Sequence, residues 1–188
     1  MHPARLLLTA ALVAAATAMA APAAAEPAPA AVVQLAKATI AKLGTAPEIV
    51  KAVKAQNAAG ASLADVQAMD KKWIATPGIA DFMKALMTSP AGAFLSRTAA
   101  SAPYYSEIFV TDKLGANVAM SAKTSDYWQG DEPKFTDAWK GGAGAVALSD
   151  INFDKSSQKY IVHVSVPVKD GDTTIGVLIA GVDVAKVK

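Results

Sequence analysis

The chain contains no cysteine and is poor in histidine and aromatic residues. It has two histidines, and only 6% of its 188 residues are aromatic. The absence of cysteine excludes disulfide bridges, thiol catalysis and cysteine–metal sites. Lysines and acidic residues are interspersed and leave a formal charge of +2. No concentrated basic surface therefore indicates nucleic-acid binding.

The long apolar run of this chain follows a short polar start at the N-terminus. His2 and Arg5 precede an alanine-rich stretch over residues 6–20, and small-x-small patterns lie at its end. This arrangement predicts a signal peptide over residues 1–25 that is cleaved before Glu26. An uncleaved membrane anchor is the alternative, although a span needs about 20 strongly apolar residues. We therefore expect an exported protein that is periplasmic or secreted.

The remaining chain has the length of one domain. Residues 26–30 are rich in proline and alanine, which predicts an extended tether. Residues 31–188 are then expected to form a single domain of ordinary size. Cleavage of the predicted signal peptide removes Arg5, which leaves 17 basic and 16 acidic residues in the chain. Arg97 is then the single remaining arginine, which on an amphipathic helix is usually a surface residue.

Residues before Pro103 show the spacing of helices. An apolar stripe that repeats every three or four residues predicts an N-terminal helix ending at Gly44. The stripe comprises Val32, Ala36, Ile40 and Leu43. Ser62 followed by Asp65 predicts a capping box at the start of a further helix. Two shorter helices are expected over residues 79–87 and 91–99.

After Pro103 the apolar period changes to two, which predicts strands. The expected strands cover residues 107–112, 116–122, 145–150, 160–168 and 173–184. The excursion over residues 123–144 is too long for a hairpin connection, and such excursions are commonly functional. Helices followed by strands predict an α+β fold. The N-terminal helices would pack on one face of a five-stranded antiparallel sheet, and the excursion would cover the other.

Four segments of the chain resemble Cache (PDC-type) sensor domains. They are residues 107–115 (EIFVTDKLG), 125–132 (SDYWQGDE), 164–168 (VSVPV) and 175–184 (IGVLIAGVDV). The resemblance runs from about Ala31 to the C-terminus. It implies a PAS-like (Cache) sheet and an extracytoplasmic module that binds a small molecule in signal transduction, without enzymatic activity.

The chain departs from the usual members of that family, which sit between two membrane helices of chemoreceptors, kinases or cyclases. It shows no transmitter segment and no second membrane span. We therefore expect a freestanding module, either a soluble binding protein or an accessory that presents its ligand to a membrane signalling partner. A homodimer through the helix over residues 32–43 is a further expectation.

The resemblance also bears on the class of ligand. Amino-acid-binding relatives hold the ligand carboxylate with an Arg-x-Trp-Tyr segment, and the matching residues 132–135 (EPKF) lack the arginine and tryptophan. Because an arginine fork suits a planar carboxylate, its loss argues against an α-amino acid. The acidic positions of the relatives match Asp150 and Asp183. Their retention favours an amine or another cationic or hydrogen-bond-donating ligand.

Seven residues are therefore candidates for ligand binding, and five of them have a structural alternative. They are Tyr105, Asp126, Tyr127, Trp128, Asp131, Asp150 and Asp183. Asp183 lies on an apolar strand face and must be paired or bind something, but it equally fits a cap of the strand end. Tyr127 and Trp128 fit a pocket or a plug over the sheet. Tyr105 fits the core, and Asp150 fits a turn.

No sequence motif indicates catalysis or a bound cofactor. Nucleophile triads, metal motifs, phosphate loops and nucleotide fingerprints do not occur, and the acidic residues lack EF-hand spacing. His163, the one histidine beyond the leader, fits a structural role. The alternative to a binding module is an accessory domain for protein interaction that has lost its ligand. The altered residues 132–135 favour that alternative.

Overall fold

A computed structural model describes residues 26–155 and 157–188. The predicted leader, residues 1–25, lies outside the described residues. Among the described residues, no helix has the length and hydropathy that crossing a membrane requires.

Helices dominate the chain before Pro103. Helix α1 spans residues 30–43 in three continuous pieces, Ala30–Leu35, a π-helical turn at Ala36–Ile40, and Ala41–Leu43. The following helices are α2 (Pro47–Ala59), α3 (Leu63–Ala75), α4 (Asp81–Thr88) and α5 (Pro90–Ala100), and α6 (Pro133–Trp139) lies in the excursion. The predicted capping box is confirmed at α3, where Ser62 and Asp65 bond reciprocally.

An antiparallel sheet follows the helices. Its strands are β1 (Tyr105–Asp112), β2 (Asn117–Met120), β3 (Ala147–Leu148), β4 (Asn152–Asp154), β5 (Lys159–Asp170) and β6 (Thr173–Asp183). The order across the sheet is β2-β1-β6-β5-β3, and β4 also pairs with β5. This architecture confirms the predicted α+β fold of helices packed on an antiparallel PAS-like sheet. The short strand β4 was not predicted, and β3 is shorter than expected.

The back face of the sheet carries the larger apolar core. Alternate residues of β5 and β6, such as Val164 and Ala180, point to this face because successive strand side chains alternate. Helices α1, α2 and α5 cover it with Val32, Ala36, Ile40, Ile49, Val53, Ala91 and Leu95. The predicted apolar stripe of α1 is thus buried within its own chain. A homodimer through α1 stays a prediction and would use the opposite side of the helix.

The front face carries a second apolar core, and two N-terminal helices reach it. Trp73 of α3 and Met83 of α4 are fully buried there. They pack with Phe109, Met120, Phe135, Ala138, Val177 and Ile179. The prediction that the N-terminal helices cover a single face is therefore wrong for α3 and α4. Their long side chains extend to the front side of the sheet.

The segment predicted as a tether contacts the domain. The carbonyl of Glu26 accepts a hydrogen bond from the Ile151 amide at 2.7 Å, and Ala28 packs against the back core.

Arg97 is exposed on α5, in agreement with its interpretation as a surface residue.

Candidate functional site

The predicted aromatic pair lies at the end of the sheet where β1 turns into β2. The indole Nε1 of Trp128 donates to the Leu114 carbonyl at 2.8 Å. One carboxylate oxygen of Asp70, on α3, accepts from the amides of Tyr127 (2.8 Å) and Trp128 (3.0 Å). The rings of Tyr127 and Trp73 lie 5.7 Å apart. Tyr127 therefore helps to seal the front core, and burial, with a smaller effect of Asp112, raises the pKa of its hydroxyl.

Three predicted acidic residues lie in loops. The carbonyl of Asp126 accepts hydrogen bonds from the side chains of Asn117, Thr124 and Gln129. Its carboxylate accepts from the Ser125 hydroxyl at 2.6 Å. Asp131 and Asp150 are exposed, and the Asp150 carbonyl accepts from Ser149 and Asn152.

The last two predicted residues lie at the opposite end of the sheet. Asp183 is 5% exposed, and its Oδ1 accepts from the Ala185 amide at 3.0 Å. Its Oδ2 lies 3.6 Å from Lys159 Nζ, so both the capping alternative and a charge partner account for its burial. Tyr105 belongs to the back core and pairs with the ring of Tyr104. Burial raises the pKa of the Tyr105 hydroxyl well above its usual range.

The structure does not bring the seven predicted residues together. Trp128 contacts the turn beyond Asp112, and Asp112 pairs with Gly176 near the start of β6, whereas Asp183 ends that strand. Between these ends, Phe109 and Ile179 fill the front face beneath α6. The expectation that Tyr127 and Trp128 of the excursion line one ligand pocket together with Asp183 is therefore wrong. The binding roles of the individual residues stay predictions.

The front face instead has a polar hollow beside β1. It has a volume of about 220 Å³ and is lined by Ser106, Glu107, Ala122, Lys123, Asp154 and Ser157. The hydroxyl oxygens of Ser106 and Ser157 are buried, and among the described residues neither has a hydrogen-bond partner. An unsatisfied buried hydroxyl costs about 1–3 kcal/mol, so native structures rarely retain one without a reason. Two such groups beside one hollow form a place where water or a polar guest can complete their hydrogen bonds.

A row of three residues on neighbouring strands forms the floor beside this hollow. Glu107 on β1 pairs with Gly181 on β6, which pairs with His163 on β5. Across the glycine, His163 Nε2 lies 3.8 Å from Glu107 Oε1, and each side chain is 20% exposed. A Cβ on Gly181 would lie 3.2 Å from the Glu107 Cγ. The glycine therefore leaves the space in which the other two side chains meet.

A smaller hollow lies on the other side of His163, beneath α6. Its volume is about 50 Å³, and its lining includes Lys134, Asp137, Ser149, His163 and Ser165. Lys134 pairs with Glu132 at 2.9 Å and places its ammonium 5.8 Å from the Phe109 ring centre. Because Glu107 lines one hollow and His163 the other, the two hollows meet at this pair. We call them together the front groove.

Two larger clefts lie on the helical side, and a third, of about 560 Å³, lies beside Leu35 and Lys186. One, of about 650 Å³, runs beside Lys51, Lys54 and Lys169. The other, of about 490 Å³, lies between Ala52 of α2 and Pro90 of α5. Among the described residues, none of the three is lined by a buried polar atom that lacks a partner. The front groove is therefore the stronger candidate despite its smaller size.

Two features of the sequence point to this groove, although the alternation of apolar and polar residues along the strands does not reveal it. Glu107 stands next to the apolar run Ile108–Val110, and a charged residue beside a buried strand segment needs a partner. Gly181 lies inside a strand, where glycine often marks a close approach of other atoms. Ser106 and Ser157 carry no such signal, because serine is common in exposed turns.

Comparison with known proteins identifies solved structures of similar fold and no relative by sequence. No protein-family model matches the chain, and no curated protein matches its sequence significantly. The sensor domain of the V. cholerae histidine kinase DctB is 16% identical, with 83% of this chain and 51% of that chain covered and a TM-score of 0.48. The ligand-binding domain of the Campylobacter jejuni chemoreceptor Tlp3, in complex with 4-methylisoleucine, is 14% identical, with coverage of 82% and 61% and a TM-score of 0.40.

A further similar structure is the ligand-binding domain of the Pseudomonas aeruginosa amino acid chemoreceptor PctC in complex with GABA. It is 13% identical, with 79% of this chain and 64% of that chain covered and a TM-score of 0.37. This chain thus spans about half to two thirds of the length of these solved domains. All three are sensory or ligand-binding domains, the class that the sequence resembles. Their TM-scores are below 0.5, so none of them assigns a role to a residue of this chain.

Proposed function

We propose that this protein is a sensor-type module that binds a small molecule in the front groove, and that the ligand carries an ammonium group or several hydrogen-bond donors. The observation that carries the proposal is the pair of buried hydroxyls, Ser106 and Ser157, which lack partners among the described residues. Both line the same hollow as the carboxylates of Glu107 and Asp154. A guest that donates hydrogen bonds suits the carboxylates, which only accept, and the two hydroxyls can donate to such a guest or accept from it.

The charges around the groove favour a cationic guest over an anionic one. Lys123 donates to the carbonyls of Thr76 and Gly78, Lys134 pairs with Glu132, and Lys159 pairs with Asp183. The lysines are thus engaged by oxygen atoms of the protein. Glu107 faces only an imidazole within salt-bridge distance among the described residues, and an ammonium group would stabilise its carboxylate.

Calorimetry with two panels of compounds tests the ligand class. Ethanolamine and 1,4-diaminobutane represent amines, and acetate, succinate and glycine represent acids and amino acids. We expect binding of the amines and a loss of about tenfold or more in affinity for Glu107→Gln, because a hydrogen bond to a charged group contributes about 1.5–3 kcal/mol. The Ser106→Ala and Ser157→Ala variants should also bind more weakly. Ser101→Ala, an exposed site at the end of α5, serves as the control.

Two outcomes would contradict the proposal. A clear preference for the acids would remove the amine class. Equal affinity of Glu107→Gln and Ser101→Ala for the amines would place the site elsewhere on the molecule.

An accessory domain for protein interaction is the second candidate. The observation that favours it is the exposure of three large apolar side chains in and beyond α3: Leu63 (44%), Ile74 (61%) and Ile79 (56%). A thermal-shift screen with a broad metabolite panel separates the two, because a ligand stabilises the folded state by mass action. Absence of a shift across the panel would favour the interaction role.

We further propose that the module is exported by cleavage before Glu26 and reports to a membrane signalling partner. The polar start, the apolar run and the small-x-small sites of residues 1–25 support the export. Fractionation of expressing cells, followed by N-terminal sequencing of the product, tests this. A product that retains residues 1–25 in the membrane fraction would indicate an anchor instead.

A further inference from the structure

We propose that His163 and Glu107 form a pH-dependent latch across Gly181. When the imidazole is protonated, it pairs with the Glu107 carboxylate, to which a cationic guest would otherwise bind. The inference rests on the proposed function, because it concerns regulation of the same groove. The latch is built from residues on three neighbouring strands, and its two ends line the two hollows of the front groove.

The geometry suits a contact that strengthens when a charge appears. His163 Nε2 and Glu107 Oε1 are 3.8 Å apart, beyond an ordinary hydrogen bond but within the range of an ion pair, and both side chains are mostly buried. Small rotations of both side chains over the bare glycine would close that distance. Histidine is the side chain that gains its charge between about pH 8 and pH 5. Acidification would therefore convert a weak contact into an ion pair.

The other charged groups near the latch come from every element around the groove. Lys134 and Asp137 lie on α6, Asp154 on β4, Lys159 on β5 and Asp183 on β6, and Lys123 follows β2. Lys134 and Lys159 each have a carboxylate partner, and Lys123 is held by two carbonyls. The imidazole is therefore the group best placed to compete with a guest for Glu107. A guest ammonium would meet that competition only at low pH.

The first test needs no ligand. A double-mutant cycle with His163→Gln and Glu107→Gln in the full chain measures the coupling between the two side chains by urea unfolding. At about pH 5.5, we expect a coupling that changes the unfolding equilibrium constant roughly twofold to fivefold, as partly exposed ion pairs do. At about pH 8 we expect no coupling. Absence of coupling at the lower pH overturns the latch.

The second test measures the affinity for ethanolamine by calorimetry at the same two pH values. We expect wild-type affinity to fall about twofold to fivefold at the lower pH, in line with the strength of the ion pair that the guest must displace, and His163→Gln to bind equally at both pH values, since carboxylates in general remain ionised there. A pH effect that persists in His163→Gln overturns the latch while the proposed function stands. If neither ethanolamine nor 1,4-diaminobutane binds wild type at either pH, the proposed amine function fails and the latch with it.

Discussion

Two glycines of β6 show how the same residue type serves different purposes within one strand. A Cβ at Gly176 would lie 2.1 Å from the Thr111 carbonyl oxygen and 3.0 Å from Val53 Cγ1. A Cβ at Gly181 would meet side chains only, with Glu107 Cγ nearest at 3.2 Å. A backbone carbonyl within a sheet cannot move aside, whereas the flexible Glu107 side chain can.

Alanine substitutions at these two positions should therefore differ in cost. We expect Gly176→Ala to lower the free energy of unfolding by about 3 kcal/mol, the upper part of the range for overpacking, and Gly181→Ala by about 1 kcal/mol or less. Urea denaturation measures both. Gly181→Ala should instead weaken the proposed binding of amines, because it displaces Glu107. Equal losses of stability in the two variants would show that the space beside Gly181 is not free.

Asp183 and Trp128 illustrate what the sequence could predict about individual residues. The apolar neighbours of Asp183 indicated that its carboxylate must be paired or bind something, and in the structure it contacts the Ala185 amide and the Lys159 ammonium. Sequence alone could not choose between a cap and a ligand, because both satisfy a buried carboxylate. Trp128 was expected in the pocket, but its position depends on a hydrogen bond to Leu114. Such a contact between loops leaves no periodic signal.

At the scale of elements, Asp70 connects α3 to the excursion. Its Oδ1 accepts two backbone amides, those of Tyr127 and Trp128, while Trp73 one turn later donates to the Thr124 carbonyl at 2.9 Å. We expect Asp70→Ala to lower the free energy of unfolding by about 2 kcal/mol, because it leaves these amide donors without their acceptor. Chemical denaturation gives the value, with the exposed Lys71→Ala as the control. A loss no greater than that of the control would contradict this role.

The start of α3 should respond to acid. Hydrogen bonds from the Ser62 hydroxyl and then from its backbone amide lower the pKa of Asp65. A lowered folded-state pKa adds stability above the unfolded value, near pH 4, and that stability disappears as pH falls through the folded value. Wild type should therefore exceed Asp65→Asn in stability at neutral pH, and the two should converge below about pH 4. A constant difference down to about pH 2 would contradict the capping role.

The long strands could be predicted from sequence, and the short ones could not. β5 and β6 show sustained alternation with buried Val162, Val164 and Leu178, and their predicted bounds lie close to those observed. β4 consists of Asn152–Asp154, of which Phe153 is 47% exposed. Three residues are too few to establish a period. The hollow depends on this strand and on Ser157 just after it, which is why the site was not found from the sequence.

At the scale of the whole molecule, one sheet separates two apolar cores. Ile49 lies in the back core and Ile179 in the front core, and both are fully buried. Ile49→Val and Ile179→Val should each cost about 0.5–1.5 kcal/mol. Because their side chains lie on opposite faces, the double variant should equal the sum within about 0.5 kcal/mol. Urea denaturation of the four proteins tests this, and two separate transitions would show instead that the faces unfold independently.

The hairpin of β5 and β6 bears on how the chain folds. Its register runs from Ile161↔Asp183 to Asp170↔Thr173, so the two longest strands are joined by a two-residue turn. Closing so short a loop costs little entropy, and contacts close in sequence form fastest. We therefore expect the hairpin to form the nucleus on which β1 and the helices assemble. Substitutions within it should slow refolding, whereas those in α1 should mainly accelerate unfolding.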